Sequence, residues 1–429
     1  MVLDDVVCSR RLEVALVSEH ASPLALLGGA DAGGQNVHVA ELARHIGRRG
    51  AHVTVYTRRD DPALPTEVPF AHNVVVRQVD AGPAAPLPKD DLVGWMGHFA
   101  EQLGRLWRDR RPDVVHAHFW MSTMASLPPA HELGIPVATT FHALGVVKRR
   151  HQGAADTSPP ERVAVEQRLA REVDMVIATS RDEVEELMAL GMDRSRAVVI
   201  PCGVDVERFT PDGPSDPRSE GTSRIVAVSR FVARKGLADL VDAVALAHTG
   251  ASADTGIELV IAGGPPAGIL LDDAEARRLA TRVHRHGIGN RVRFLGAVER
   301  AAVPRLLRSA DVVAMCPWYE PFGIVALEAM ACGIPVVASD VGGLRETVLH
   351  GTTGLLVPPR RPDCIAEALH QLLSYPQRPA MADAAVTHAR RYSWSRIAGQ
   401  TLAQLRNLAC AAGPAPTAEG PAPEWSAGR

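Results

Sequence analysis

Short apolar runs alternate with amphipathic stretches along almost the whole chain. EVALVS (Glu13 to Ser18), HVTVYT (His52 to Thr57), NVVVRQVD (Asn73 to Asp80), DVVHAH (Asp113 to His118), PVATTFH (Pro136 to His142) and MVIATS (Met175 to Ser180) read as buried strands. Between them VHVAELARHIGRRG, Asp90 to Arg110, Pro160 to Val173 and Arg181 to Leu190 carry helical spacing, and Gly50 and Gly191 close two of these helices. AVVIPCGVD (Ala197 to Asp205) ends the first half. TPDGPSDPRSEGTS (Thr210 to Ser223) has no periodicity and reads as a linker. A second set follows: strands RIVAVSR (Arg224 to Arg230), IELVIAGG (Ile257 to Gly264) and RVRFLG (Arg291 to Gly296), with helices over Gly236 to Ala247 and Ala274 to His286. The expected fold class is α/β, two Rossmann-like domains with parallel sheets facing across a cleft. The expected boundaries are 1–209 for an N-terminal acceptor domain, 210–223 for the linker and 224–392 for a C-terminal nucleotide-sugar domain. Helices over Pro379 to Arg391 and Trp394 to Ala411 come last. Residues 393–412 rejoin the first domain, and the Pro/Ala/Gly-rich residues 413–429 form a disordered tail.

The densest stretch is WYEPFGIVALEAMACGIPVVASDVGGLRETV, starting at Trp318. The strand VVAMC (Val312 to Cys316) runs through Pro317 into a loop carrying Glu320. Pro321 suits the first turn of a helix, whose apolar residues Ile324, Leu327 and Ala331 recur at helical spacing, and Glu328 is expected two turns in. A helix starting just beyond a strand's C-terminal end offers free amides and partial positive charge. Gly323 leaves room for a ligand to approach that backbone. With Glu320 and Glu328 to accept bonds from hydroxyls, the profile is that of a sugar-nucleotide: an anion in the middle and polyols on both sides. Gly33 and Gly34, in the turn DAGGQN (Asp31 to Asn36), have the same strand, turn, helix setting. The loop VSRFVARKG places Arg230 and Lys235 directly after a buried strand, where cations stabilise a leaving diphosphate. The sequence has no D-x-D to hold a divalent metal for that purpose. His142 ends a strand. His116 and His118 form an H-x-H, but no third ligand is spaced to join them, so no metal site is expected.

Composition narrows the classes. The 429 residues allow two or three domains, and 46% hydrophobic with 22% charged residues is ordinary for a soluble protein. The formal net charge of −3 gives no support for a nucleic-acid or anionic-membrane surface. No apolar run reaches the ~18 residues of a membrane span, and the acidic start MVLDDVVCSRR is unlike a signal peptide. The six cysteines are scattered without a C-x-x-C pair and read as reduced packing residues. A cytoplasmic location is expected.

EPFGIVALEAMACGIPVVAS resembles the E-x7-E signature of retaining glycosyltransferases of family four, enzymes of the GT-B fold, and the resemblance extends over roughly Leu12 to Asn407. It implies that Glu320 and the amides of Phe322, Gly323, Ile324 and Val325 hold the donor sugar and that Glu328 holds the nucleotide ribose. It also implies that Gly33, Gly34, Arg230 and Lys235 meet the diphosphate, with His142 beside the sugar. Catalysis would rest on Glu320, His142, Arg230 and Lys235, with a UDP or GDP sugar as donor, no metal and no redox cofactor. Within the family, DAGGQNVHVAELARHIGRRGAHVTVYTRR and VDVERFTP resemble the branch of the inositol-phosphate glycosyltransferases and sucrose-phosphate synthase. That branch implies an acceptor site at Asn36, Lys89, Phe119, Ala143 and Arg162. Lys89 and Arg162 keep the cations, whereas Phe119 and Ala143 stand where a Tyr and a Thr donate to phosphate. The acceptor is therefore expected to be another small polar molecule of thiol or cyclitol metabolism, with inositol phosphate as the alternative. The expected partners are the small-molecule donor and acceptor, with a homodimer as the assembly to test. An epimerase or phosphorylase, and a sugar-nucleotide-binding protein without turnover, are the rival readings.

Overall fold

The computed structural model describes residues 11–25, 33–250, 256–374 and 378–412. Two sheets organise them. The first holds β1 (Glu13–Val17), β2 (His52–Arg58), β3 (Glu67–Ala71), β4 (Val74–Val79), β5 (Val114–His118), β6 (Val137–Thr140), β7 (Met175–Ala178) and β8 (Ala197–Val199). Its order is β3-β4-β2-β1-β5-β6-β7-β8, parallel throughout except for β3. The second holds β9 (Thr222–Val228), β10 (Gly256–Ala262), β11 (Val292–Gly296), β12 (Val312–Met315), β13 (Val336–Ser339) and β14 (Gly354–Val357). All six are parallel, in the order β11-β10-β9-β12-β13-β14. Central strands such as β5, β6, β12 and β13 are buried at every position because helices cover both faces, which is why they read as unbroken apolar runs.

Each sheet has a point where the chain reverses the direction of strand addition: between β1 and β5 in the first, between β9 and β12 in the second. Open α/β sheets bind ligands in the crevice outside the strand C-termini at such points. The loops leaving β1, β5, β9 and β12 hold most of the residues named above.

The two halves are tied together. The Trp394–Ala411 helix packs on the Gly34–Arg48 helix, while Arg378–Arg390 packs on Ile324–Ala331. One apolar cluster runs continuously from Leu42 and Ile46 through Trp394, Leu402 and Phe209 to Phe322, Leu327 and Met330. Where the chain crosses between the sheets, Val204 N–H donates to the Tyr392 carbonyl (2.8 Å) and Trp394 N–H to the Val204 carbonyl (3.3 Å). The Trp394 ring lies over Gly203, where a Cβ would come within 2.5 Å of it.

Several elements depart from the sequence reading. β3 was not expected; it is an edge strand with Pro69 and half-exposed residues, folded back on β4 at Asn73 (φ 59°). The Trp120–Glu132 helix was missed because it shows no polar face and contains Pro128 and Pro129; nine of its thirteen residues are buried. The Gly145–Gln152 helix was missed too. Pro321 precedes the Ile324–Ala331 helix instead of opening it, and Glu328 lies just over one turn in. The 210–223 stretch is held against the second half: Arg308 donates to the Thr210 and Pro214 carbonyls, Arg224 to those of Asp216 and Pro217, and Arg305 pairs with Asp216. Its last two residues open β9. The tail 413–429, residues 1–10 and Asp31 and Ala32 of the glycine turn lie outside the described residues. No helix among the described residues is long and apolar enough to cross a membrane.

Candidate functional site

The second half builds its part of the site from three loops. After β9 the chain turns through Arg230 to Lys235, then passes Gly236 at φ 66°, where a Cβ would sit 1.8 Å from the Cys316 carbonyl oxygen. Only glycine allows this approach, and it brings Lys235 onto the loop after β12. There Lys235 pairs with Glu320, both side chains largely buried. Trp318 N–H donates to the Arg234 carbonyl (2.8 Å), which fixes the two loops to each other. The third loop, after β13, closes over Glu320: Gly343 N–H donates to the Glu320 carbonyl (3.0 Å), and Gly342 leaves no room there for a side chain. Burial opposes ionisation of Glu320, but Lys235, Arg234 and Arg230 together hold its carboxyl below the ordinary range. Burial also lowers the Lys235 pKa, an effect Glu320 partly offsets.

Two helix ends converge here. The Ile324–Ala331 helix is capped by Gly323 (φ 92°) and the Gly34–Arg48 helix by Gly33, and neither cap makes a side-chain bond to the first-turn amides. A Cβ at Gly34 would lie 3.5 Å from Ile324 Cδ1, so the two N-termini face each other across the cleft. Each brings partial positive charge to the same place. Phe322 is buried, and Ile324 and Val325 are half-buried at the helix start. Glu328 is 1% exposed; Arg300 holds its Oε1, and its Oε2 has no protein partner. A buried carboxylate oxygen left open calls for a donor from outside the chain.

The first half contributes the ends of β5 and β6, where Phe119 (φ 83°) and His142 (φ 60°) both hold the left-handed backbone that non-glycine residues avoid. Phe119 N–H donates to the Thr140 carbonyl (2.8 Å), which links the two loops. The buried Phe119 ring carries Lys89 Nζ 5.3 Å and Arg162 Cζ 5.0 Å from its centroid. Arg162 is already committed, bonding Glu166 (2.7 Å), the Ala143 carbonyl (2.7 Å) and Ser158 Oγ (3.2 Å). Burial and then Arg162, with Lys148 and Arg230 adding to it, lower the Lys89 pKa, so cations from both halves share one field. Asn36, expected at the acceptor, is buried and spends its amide on the glycine turn: its Oδ1 accepts from Gly33 N–H (3.0 Å) and its Nδ2 donates to the Ser22 carbonyl (3.1 Å).

A cavity of about 210 Å³ opens between His142 and Ala143 on one side and Tyr319, Glu320 and Gly342 on the other, with Asp182, Glu183, Arg150 and Arg345 in its walls. The halves touch across it: Gln152 Nε2 donates to Tyr319 Oη (2.7 Å), His151 stacks on Tyr319, and Arg181 N–H donates to Glu346 (2.6 Å).

The structure adds neighbours that the H-x-H spacing did not reveal. His118 does find further imidazoles: His38 and His142 place ring nitrogens within 4.8 Å of it and of each other. They come from different elements, so spacing within H-x-H gave no sign of them. His116 lies against the His118 ring (centroids 4.2 Å apart) but turns its Nε2 to Thr140 Oγ1 (2.9 Å). Burial pushes all four imidazoles down, His38 to about 4. The sequence reading also missed Arg300, whose one visible signal was its position just past a strand end, and Arg234, Gln152 and Tyr319. Cys202, Cys316 and Cys332 are buried thiols.

Two family models match the chain. The one described as Glycosyltransferase Family 4 covers residues 32–208, and the one described as Glycosyl transferases group 1 covers 213–389. The D-inositol 3-phosphate glycosyltransferase of Jonesia denitrificans is 36% identical over 93% of this chain and 97% of its own length. That of Mycolicibacterium smegmatis is 35% identical over 91% and 90%. Among solved structures, sucrose-phosphate synthase from Thermosynechococcus elongatus superposes with a TM-score of 0.84 at 30% identity, covering 94% of this chain and all of the other. Anabaena Alr3699/HepE in complex with UDP and glucose shares the fold at a TM-score of 0.70 and 20% identity, covering 92% and 99%. With two parallel-sheet domains facing across a cleft and these relatives over nearly its full length, the chain belongs to the family 4 glycosyltransferases of the GT-B fold.

Proposed function

We propose that this enzyme transfers a sugar, with retention of configuration, from a nucleoside-diphosphate sugar to a small polyhydroxylated acceptor. One observation carries the reading: two helix N-termini without side-chain caps, at Gly34 and Ile324, meet beside the Lys235–Glu320 pair. A diphosphate between them would take amides from both halves and charge from Lys235 and Arg230, which stabilise the leaving group as the glycosidic bond breaks. Glu320 and His142 would hold the sugar in the cavity between them, and the open Oε2 of Glu328 would take a ribose hydroxyl. The acceptor hydroxyl attacks from the face the diphosphate leaves, and the departing phosphate oxygen takes its proton. These groups supply the charge without a metal.

On the acceptor side, Lys89 and Arg162 lie against Phe119, and protein partners take three of the five Arg162 N–H groups. The relatives are named for inositol 3-phosphate, which makes that acceptor the second reading. A site with its cations held on an aromatic ring and two hydroxyl donors missing favours an unphosphorylated cyclitol-type acceptor instead. The experiment is a panel of UDP and GDP sugars against inositol phosphate, free cyclitols and small metabolites, read by release of nucleoside diphosphate and by the anomeric configuration of the product. Release without transfer to any acceptor, or inversion at the anomeric carbon, refutes the reading.

A further inference from the structure

The histidines at the ends of β5 and β6 and on the glycine-turn helix form an arrangement that sugar transfer does not require. The rings of His38, His118 and His142 stand at the corners of a nearly regular triangle, with centroids 5.0–5.5 Å apart. His118 Nδ1 and His142 Nε2 approach to 3.0 Å, and one nitrogen from each of the three rings lies within 4.8 Å of the others. Imidazole nitrogens about 2.0–2.1 Å from a tetrahedral ion are roughly 3.3 Å apart. His118 and His142 already stand near that spacing, and the widest pair needs to close by at most about 1.5 Å.

Three further features point to a ligand. His38 and His118 are buried, so bulk water does not compete at two of the three corners. His118 Nε2 has no partner in the protein, so turning Nδ1 toward an ion creates no new unsatisfied group. His142 lines the cavity, which gives an ion a path from solvent.

We propose that His38, His118 and His142 form a three-imidazole site for a zinc-type dication, with the fourth position left to water. Three neutral nitrogen ligands with one open position suit a borderline ion and disfavour magnesium or calcium, which take oxygen. An ion here draws His142 toward the interior and away from the cavity. On the reading that His142 stands beside the donor sugar, the site is inhibitory, and free zinc competes with donor.

The test is a cobalt(II) titration of the EDTA-treated full-length protein, followed by visible absorption. One equivalent giving a tetrahedral spectrum that zinc displaces is the expected result. His38→Phe, which keeps a ring against Trp394 (5.3 Å from His38) while removing a ligand, should weaken binding at least tenfold. His142→Gln provides the same test at the cavity rim should His38→Phe fold poorly, and zinc should raise the Tm of the unmodified protein alone. Absence of a tetrahedral spectrum, an intense thiolate-to-cobalt band placing the ion on cysteine, or equal affinity in the variants overturns the site. Zinc inhibition is measured in parallel against donor concentration. Cobalt bound with transfer unaffected supports the site and refutes the placing of His142 beside the sugar. No cobalt binding with transfer intact overturns the site alone.

Discussion

Removing Lys235 tests the donor site most directly. Its ammonium is buried against Glu320, and Arg234 and Arg230 contribute to the same field. Taking one preorganised donor from a developing anion costs about 3 kcal/mol, a little over two tenfold steps in kcat. Lys235→Ala should therefore turn over a hundredfold or more slowly. The Glu320 carboxylate would lose its pair, but two arginines remain near it. The stability loss should fall below the roughly 3–5 kcal/mol of an uncompensated buried charge. Turnover at saturating donor, donor affinity by calorimetry and a thermal melt separate the two effects. A double-mutant cycle with Glu320→Gln locates the role. If Lys235 only positions Glu320, the double variant is no slower than Glu320→Gln alone; if it acts on the diphosphate, the losses add. The pH profile gives a second signature. Because burial lowers the Lys235 pKa, the cation and the turnover are lost as pH rises through a value below 10.5, and Lys235→Arg should move that limb upward. The Glu320 pKa is depressed, so its ionised form persists to below 4.5 and its stabilising contribution disappears only as pH falls through that lowered value. A folded Lys235→Ala with near-normal kcat refutes the assignment.

Glu328→Gln keeps shape but loses charge, and donor binding should weaken by roughly 1–3 kcal/mol by calorimetry; unchanged affinity moves the ribose elsewhere. Phe119→Tyr with Ala143→Thr should raise inositol-phosphate use relative to a free cyclitol in a competition assay. Clear preference of the unmodified enzyme for inositol phosphate refutes the acceptor reading. Transfer should survive EDTA, and a strict manganese or magnesium requirement contradicts a leaving group stabilised by Arg230 and Lys235.

Strands buried on both faces announce themselves as apolar runs, so most of the fourteen were visible in the chain, and residues at their C-terminal ends could be named for that reason; β3 and β14, each at the edge of its sheet, were not. β3 escaped because an edge strand is half solvated and carries a proline. The Trp120–Glu132 helix escaped because only Pro128, His131 and Glu132 of its thirteen residues are exposed, too narrow a stripe for periodicity to show. At the site, Glu320 and Lys235 were legible from motif and position. Their pairing was not, nor was the stacking of Lys89 and Arg162 on Phe119, because both depend on loops brought together from distant segments. His38, Arg300 and the Gln152–Tyr319 bond across the cleft were invisible for the same reason. Asn36 was legible as a polar residue beside the glycine turn, but nothing in the sequence showed that its amide also braces the turn, accepting from Gly33 N–H and donating to the Ser22 carbonyl.

The bonds joining Val204 to Tyr392 and Trp394 rivet the two crossings of the chain side by side, with the indole wedged on Gly203. Two independent tethers would hold the halves only through their own lengths of chain; two tethers fastened together hold each other in register as well. The halves so joined set the helix end at Gly34 against the one at Ile324, where a Cβ would lie 3.5 Å from Ile324 Cδ1. None of Gly203, Val204, Tyr392 and Trp394 lines the cavity, yet they fix how the two halves that wall it are joined.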